Sequence, residues 1–309
     1  VDIDHWVLKL SKIVRAISNK LTTSNYISKS KRNVAHHYDL SDKLYDLFLD
    51  PDRQYSCAYF NSPNDSLEQA QINKKELISK KLLLEENQSV LDIGCGWGGM
   101  ASHIYKKSNA SVVGVTLSEE QIAYAQQRKV REKLDKVEYR LQDYRNVNEK
   151  YDRIVSVGMF EHVGTAHYQE FFNKVYDLLN DSGVALIHTI GRLNEPGNTD
   201  PWIDKYIFPG GYIPALSETV SRVEKSGLSL NDVQILKFHY AETLKRWRYN
   251  FYDNIDKVKE IYDEKFCRMW DFYLSSSQAS FEESTLVVFQ LQLSKNKKTV
   301  PDKRDYLLA

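Results

Sequence analysis

The stretch Val90-Leu91-Asp92-Ile93-Gly94-Cys95-Gly96-Trp97-Gly98-Gly99 restricts the fold more than any other part of the chain. A short apolar run ends in a carboxylate, and a glycine-dense turn then opens a helix near Met100. Strand, turn and helix in that order make a nucleotide-type site, because glycines let the backbone come close to a ligand. Two spacings are satisfied at once. Gly94-x-Gly96-x-x-Gly99 fits the dinucleotide fingerprint, while Asp92-x-Gly94-x-Gly96-x-Gly98 fits an S-adenosylmethionine pattern. A dinucleotide site wants an acid about 20 residues further on, at the tip of the next strand. Here that strand, Ser111-Val112-Val113-Gly114-Val115, ends in Thr116-Leu117-Ser118 with no acid at its tip. The omission counts against NAD, and equally against the commonest methyltransferase pattern. Four glycines and an upstream Asp within ten residues make a ligand-free turn a poor reading.

From Ser89 onward the hydrophobic pattern alternates between strand and helix, which marks a parallel α/β sheet. Strands are expected at 89–94, 111–117, 136–142, 152–158 and 183–190, with helices at 98–107, 118–133 and 167–180. Strands at 233–238 and 285–292 bring the sheet to seven, mostly parallel. Helices are expected at 217–226, 242–258 and 259–275. Between them, Gly191 to Leu216 carries Gly, Pro and the large aromatics Trp202, Tyr206, Phe208 and Tyr212. It is too apolar for a solvated loop and too irregular for a strand, so a lid or pocket wall fits it. The tail from Lys295 to Arg304 is basic and reads as solvated.

The first part of the chain is different. From His5 to Tyr38 there is no acidic residue, while Lys9, Lys12, Arg15, Lys20, Lys29, Lys31 and Arg32 are all basic. Trp6, Leu10, Ile13, Val14, Ile17 and Leu21 recur at helical spacing, giving a basic amphipathic helix. Such a helix docks on an anionic membrane surface, or packs on its own domain with a solvated basic face; the residues alone do not choose. The His36-His37 pair has no further ligand at a fitting spacing and reads as structural. A second helix covers 40–50, with Asp39 or Ser41 as its cap, and a third runs from Ser66 to Leu84 along the nucleotide site.

Composition narrows the class further. Lys and Arg number 42 against 42 Asp and Glu, so no global field draws the protein to nucleic acid. No segment reaches the roughly 18 apolar residues of a membrane span, and no signal peptide is expected before the first helix. Three cysteines, Cys57, Cys95 and Cys267, lie far apart without a C-x-x-C. That suggests a reducing cytoplasm and argues against a structural zinc, so no metal is expected.

In an open α/β sheet, ligands bind beyond the carboxyl ends of the strands, at the topological switch point. Asp143 stands at that edge after strand three, Glu161 and His162 after strand four, His188 on strand five, and His239-Tyr240 after strand six. A helix N-terminal acid satisfied by the helix dipole is the competing reading of Glu161.

These residues also occur in a recognisable order. His37-Tyr38-Asp39-Leu40, Tyr55-Ser56-Cys57-Ala58-Tyr59-Phe60, Leu91 to Gly99 and Thr116-Leu117-Ser118-Glu119-Glu120-Gln121 are followed by Asp152-Arg153-Ile154-Val155-Ser156. Phe160-Glu161-His162-Val163-Gly164, His188-Thr189-Ile190 and His239-Tyr240-Ala241-Glu242-Thr243-Leu244 complete the series. Together they resemble the cyclopropane-fatty-acyl-phospholipid synthases and the related mycolic-acid cyclopropane synthases, from about residue 30 onward. The run Asp200 to Gly211 looks more like the bacterial phospholipid branch.

The resemblance implies a Rossmann-like class I methyltransferase fold with N-terminal helices and a helical, aromatic lid. The expected division is a helical cap over 1–85 and a methyltransferase domain over 86–309, with lid insertions at 191–216 and 239–283. In this family the Thr-Leu-Ser turn, here Thr116 with Gln121, takes the ribose end of S-adenosylmethionine where other methyltransferases use a carboxylate. Gly94 and Gly96 would carry the methionine side, Tyr55 and Ser56 would close over it, Asp92 would also bind the cofactor, and Asp143 and Tyr144 would meet the adenine. The family's bicarbonate site carries over to Cys57, Glu161, His188, Ile190 (by its backbone) and Tyr240.

The implied reaction adds a methylene from S-adenosylmethionine to a cis double bond of an unsaturated phospholipid chain. It passes through a carbocation deprotonated by bound bicarbonate. A methyl-branch or O-methyl product on the same scaffold is the rival. A catalytically dead lipid- or nucleotide-binding protein would be expected to lose some of Cys57, Glu161, His188 or Tyr240, and all are present. A lipid substrate shifts the N-terminal segment towards peripheral docking on an anionic membrane, at its inner, cytoplasmic face. A homodimer is the other use of that apolar helix.

Overall fold

The computed structural model describes residues 42–308. The basic segment from His5 to Tyr38, the His36-His37 pair and the caps Asp39 and Ser41 therefore lie outside the described residues. The chain opens with α1 (Asp42–Phe48) and α2 (Leu67–Lys81). The alternating part follows as β1 (Ser89–Ile93), α3 (Gly99–Ser108), β2 (Ser111–Thr116), α4 (Glu119–Glu132), β3 (Val137–Leu141), β4 (Tyr151–Val157), α5 (Tyr168–Leu178) and β5 (Leu179–Arg192). Then come α6 (Pro201–Tyr206), α7 (Leu216–Ser226), β6 (Ser229–Leu236), α8 (His239–Asp253), α9 (Ile255–Ile261), α10 (Glu264–Glu283) and β7 (Leu286–Ser294).

The seven strands form one sheet in the order β3-β2-β1-β4-β5-β7-β6, and only β7 runs antiparallel to its neighbours. The order reverses between β1 and β4, so their carboxyl ends open the crevice where such sheets bind ligands. One apolar layer joins the sheet to α5 and α7 through Phe171, Phe172, Val175 and Val223. The opposite layer joins it to α3 and α2 through Ile104, Met100 and Ile78. A third cluster is rich in aromatics and reaches the sheet at Leu236 and Val288; in it Phe48 of α1 meets Trp247 of α8 and Trp270 of α10. Residues 42–60 thus pack into the same core as the helices that follow β6.

Three local readings change. The helix expected from residue 242 already begins at His239, which puts Tyr240 in the first turn of α8, and β6 starts four residues before the expected Val233, at Ser229. Ser-Leu-Asn-Asp reads as a turn locally, but antiparallel pairing with β7 holds it extended through an irregular register at Leu230/Asp232. The two expected helices at 242–258 and 259–275 are three. Asn254 breaks the first, and Asp263, accepting from the Phe266 amide at 2.7 Å, caps an α10 that runs on to Glu283. The C-terminal tail is not simply solvated. Its short 3-10 helix, Arg304–Leu307, is tied back by Tyr306 Oη donating to Gln292 Oε1 at 3.2 Å and Lys80 Nζ donating to the Leu307 carbonyl at 3.1 Å. Among the described residues no helix is long and apolar enough to cross a membrane, and no group of three or more His, Cys, Asp or Glu could hold a metal ion.

Candidate active site

Two cavities meet beyond the carboxyl ends of β1, β4 and β5. The first has a volume of about 160 Å³ and is lined by the glycine turn, the Thr116–Gln121 turn and residues 142–145. Its floor is shaped by backbone that only glycine adopts freely. Gly94, Gly96 and Gly98 have φ of +82°, +54° and +83°. The Gly94 and Cys95 amides both donate to the Val115 carbonyl, at 2.9 and 3.0 Å, which fixes the turn to β2. Tyr139 Oη donates to the Gly98 carbonyl at 2.9 Å and steadies it from β3.

All nine residues expected at the cofactor line this cavity: Tyr55, Ser56, Asp92, Gly94, Gly96, Thr116, Gln121, Asp143 and Tyr144. Thr116 Oγ1 donates to Gln121 Oε1 at 2.8 Å, so the Gln121 amide nitrogen is left for a ligand. A Cβ at Gly96 would meet nothing closer than that nitrogen, 4.0 Å away. The cradle is open where a ligand would lie. Asp92 is 1% exposed with Oδ2 unpartnered, and burial, opposed by Lys74, pushes it up to about 7. Asp143 is less free than expected: Arg145 takes both of its oxygens, at 2.9 and 2.7 Å. Tyr144 packs edge-on against Phe171.

The second cavity, about 360 Å³, adjoins the first along Tyr55, Ser56, Gly158 and His162, which line both. Its lining includes all five residues expected at the oxyanion: Cys57, Glu161, His188, Ile190 and Tyr240. Its outer wall comes from the aromatic insertion and α10, including Trp202, Phe208 and Phe272. Glu161 sits in the short 3-10 helix after β4, and its Oε1 accepts the Ile190 amide at 2.6 Å. The Ile190 N–H is therefore occupied by Glu161. Burial, opposed by that amide, pushes Glu161 up to about 7. His188 is held well below its ordinary value by burial and by the charges of Lys74 and Lys81. Burial pushes the Cys57 thiol up, so it is protonated, and Sγ donates to the Ala58 carbonyl at 3.3 Å. Tyr240 is held between Trp247 and Phe281.

Glu161 Oε2 and His188 Nε2 are buried without a hydrogen-bond partner. Unsatisfied polar atoms of this kind are costly unless a ligand meets them. A small oxyanion such as bicarbonate fits the pair: a carboxyl near its pKa can donate, and an imidazole N–H can donate beside it. In the first cavity the open cradle at Gly96 and the orphaned Asp92 Oδ2 fit S-adenosylmethionine in the same sense.

Sequence reasoning missed Lys74. It is fully buried on α2, with Nζ donating to Gln54 Oε1 at 2.6 Å and to Ser56 Oγ at 2.8 Å. Burial lowers it to about 7. With Gln71, whose amide donates to the Gln54 and Ser56 carbonyls at 3.2 and 3.0 Å, it fastens the segment that both cavities share. Nothing in a helical Asn-Lys-Lys-Glu marks which lysine faces inward. Gly158, with φ of +67° directly after β4, was legible as the glycine before Glu161 but carries no chemical signal of its own.

Sheet order and site together define an S-adenosylmethionine-dependent methyltransferase of class I fold. The chain belongs to the mycolic acid cyclopropane synthetase family, whose sequence model matches residues 26–291. It is 42% identical over 259 residues to the cyclopropane-fatty-acyl-phospholipid synthase of Escherichia coli strain K12, covering 84% of this chain and 66% of that protein. It is 37% identical over 266 residues to a probable fatty acid methyltransferase of Pseudomonas putida, covering 84% of this chain and 68% of that one. The chain thus spans about two thirds of the length of these relatives. A crystal structure of mycolic acid cyclopropane synthase CmaA1 complexed with SAH and CTAB superposes with a TM-score of 0.81 at 35% identity, over 85% of this chain and 97% of that one.

Proposed function

We propose that this protein converts the cis double bond of an unsaturated phospholipid acyl chain into a cyclopropane ring. The observation that carries the reading is the meeting of the two cavities at Tyr55, Ser56, Gly158 and His162, with two orphaned polar atoms, Glu161 Oε2 and His188 Nε2, on residues that line the second cavity. When bound, S-adenosylmethionine supplies an electrophilic sulfonium methyl and bicarbonate supplies a base.

The chain's own residues do the rest. An alkene is a weak nucleophile, so the shared wall must hold it in line with the methyl, and positioning of that kind can supply several kcal/mol, roughly 7–11 at the limit. Lys74 and Gln71 make that wall rigid by bonding Gln54 and Ser56 from behind. Methyl transfer leaves positive charge on the acyl chain, which water would trap. Trp202, Phe208 and Phe272 give the cavity an apolar wall, which suits a step that water would spoil, and electron-rich rings tolerate a cation. The last step removes a proton from the new methyl. Glu161, His188 and Tyr240 would hold the bicarbonate, with Cys57 and Ile190 completing the wall, and the base it would supply there means that no side chain need take the proton.

The reading extends to location. The substrate chain lies in a bilayer, and the basic, acid-free sequence between His5 and Tyr38 supports peripheral binding at the cytoplasmic face of an anionic membrane. A cap over 1–85 and lids at 191–216 and 239–283 are the corresponding units. A methyl-branched product is a second reading, supported by the fatty acid methyltransferase name of the Pseudomonas putida relative.

The test is ring formation on vesicles of cis-unsaturated phospholipid with S-adenosylmethionine, in buffer stripped of carbon dioxide and then restored with bicarbonate. Ring protons that appear upfield only with bicarbonate support the proposal. Turnover at full rate without bicarbonate would overturn its mechanism, and a new methyl resonance with no ring would move the function to chain methylation.

A further inference from the structure

An oxyanion held between Glu161 Oε2 and His188 Nε2 needs a donor at the imidazole, so the ring must carry its proton on Nε2. A neutral imidazole holds one proton on either nitrogen, and the partner of the other nitrogen decides which. His188 is 2% exposed, and the charged groups acting on it are Lys74 and Lys81, both on α2. The strands flanking β5 place Val157 and Gln290 opposite His188, and neither carries a charge. With no anionic side chain bonded to it, the ring is neutral and its tautomer is a choice.

Gln290 is placed to make that choice. It faces His188 across the antiparallel β5–β7 pair, with its amide Nε2 3.1 Å from His188 Nδ1. It is fully buried and lines neither cavity. We propose that Gln290 is a positioning residue of the active site: its amide donates to Nδ1 of His188, which keeps the proton on Nε2 and makes that atom a donor to the bound oxyanion. This rests on the proposed function, because the oxyanion is what gives the tautomer its purpose. A carboxylate at 290 would accept from Nδ1–H and reverse the arrangement or draw a second proton onto the ring. A methionine would leave the choice open at nearly constant volume.

The direct test is long-range 1H–15N NMR of the full chain labelled in its histidines, with His188 assigned by its loss in His188→Gln. The expected spectrum has a protonated, pyrrole-type Nε2 and a bare, pyridine-type Nδ1 throughout the neutral range. A bare Nε2 or an imidazolium in the wild type would overturn the proposal. Gln290→Met should mix the tautomers and raise the bicarbonate needed for half-maximal ring formation about tenfold, the worth of one buried hydrogen bond. Its S-adenosylmethionine affinity should stay unchanged. A folded Gln290→Met protein with wild-type bicarbonate dependence would overturn the proposal too. The NMR readout needs no turnover, so failure of the ring-forming reading and failure of the tautomer assignment are told apart.

Discussion

Replacing Gly96 by alanine separates the ligand cradle from the scaffold that carries it. Gly96 has φ of +54°, a left-handed conformation in which a Cβ costs about 1–2 kcal/mol. No packing term adds to this, because the nearest atom to the new Cβ is Gln121 Nε2 at 4.0 Å. For a chain of this size, such a loss lowers Tm by only a few degrees, roughly 2 °C per kcal/mol. The methyl nevertheless stands in the first cavity, where a ligand would rest on the turn. The expected outcome is a nearly native melting curve with S-adenosylmethionine affinity reduced about tenfold or more, equivalent to ~1.4 kcal/mol. Gly94→Ala is the contrast. Its φ is +82°, and the Cβ would stand 2.8 Å from Met159 Cβ and Cγ, so overpacking of about 1–3 kcal/mol adds to the strain. That variant should lose stability first. Thermal melts and calorimetric titration of both variants make the comparison. Wild-type affinity in Gly96→Ala would refute the assignment of the turn as the ligand's seat, and a collapse in Tm would refute the open space.

Three further outcomes follow from buried groups. Glu161 keeps its proton to about pH 7 in the fold, whereas an unfolded glutamate releases it near its ordinary value of 4.5. The native state therefore holds the extra proton between those values, and stability falls as pH rises through the window, by on the order of 2–3 kcal/mol relative to Glu161→Gln. Denaturant titrations of the two proteins at several pH values would show the slope in the wild type alone, and parallel curves would contradict it. Lys74 has the opposite sign: lowered to about 7 from 10.5, it leaves the native state short of a proton between those values. Wild-type stability should rise with pH there relative to Lys74→Met, and that variant should also lose turnover as Ser56 and Gln54 are freed. Tyr139→Phe removes the hydroxyl that holds the Gly98 carbonyl at 2.9 Å, and should cost about 1 kcal/mol in a denaturant melt.

Much of the fold was written in local pattern. The apolar run before Asp92 and the four glycines after it specify a strand and a cradle whatever surrounds them, and the strand–helix alternation specifies a parallel sheet. Glu161 and His188 were legible for the same reason: one follows β4 and the other lies in the carboxyl-terminal half of β5, and the carboxyl ends of strands converge. Features set by distant partners were not legible. The start of β6 at Ser229 depends on β7, more than fifty residues later in the chain. The inward face of Lys74 depends on the loop at Gln54 and Ser56, and the tail's anchorage depends on Gln292 and Lys80. Gln290 reads in sequence as one polar residue in an apolar strand, and only the β5–β7 register sets it against His188.

The central claim, that a methyl group becomes a ring carbon, is tested most directly with S-adenosylmethionine whose methyl carries three deuterium atoms. Cis-unsaturated phospholipid is incubated with the full chain, and the acyl products are weighed by mass spectrometry and examined by NMR. Ring closure removes one deuteron from the new methyl, so the predicted product has lost its alkene, shows ring carbons upfield and retains two deuterium atoms. A product retaining all three, with a new methyl group in place of a ring, would contradict the claim.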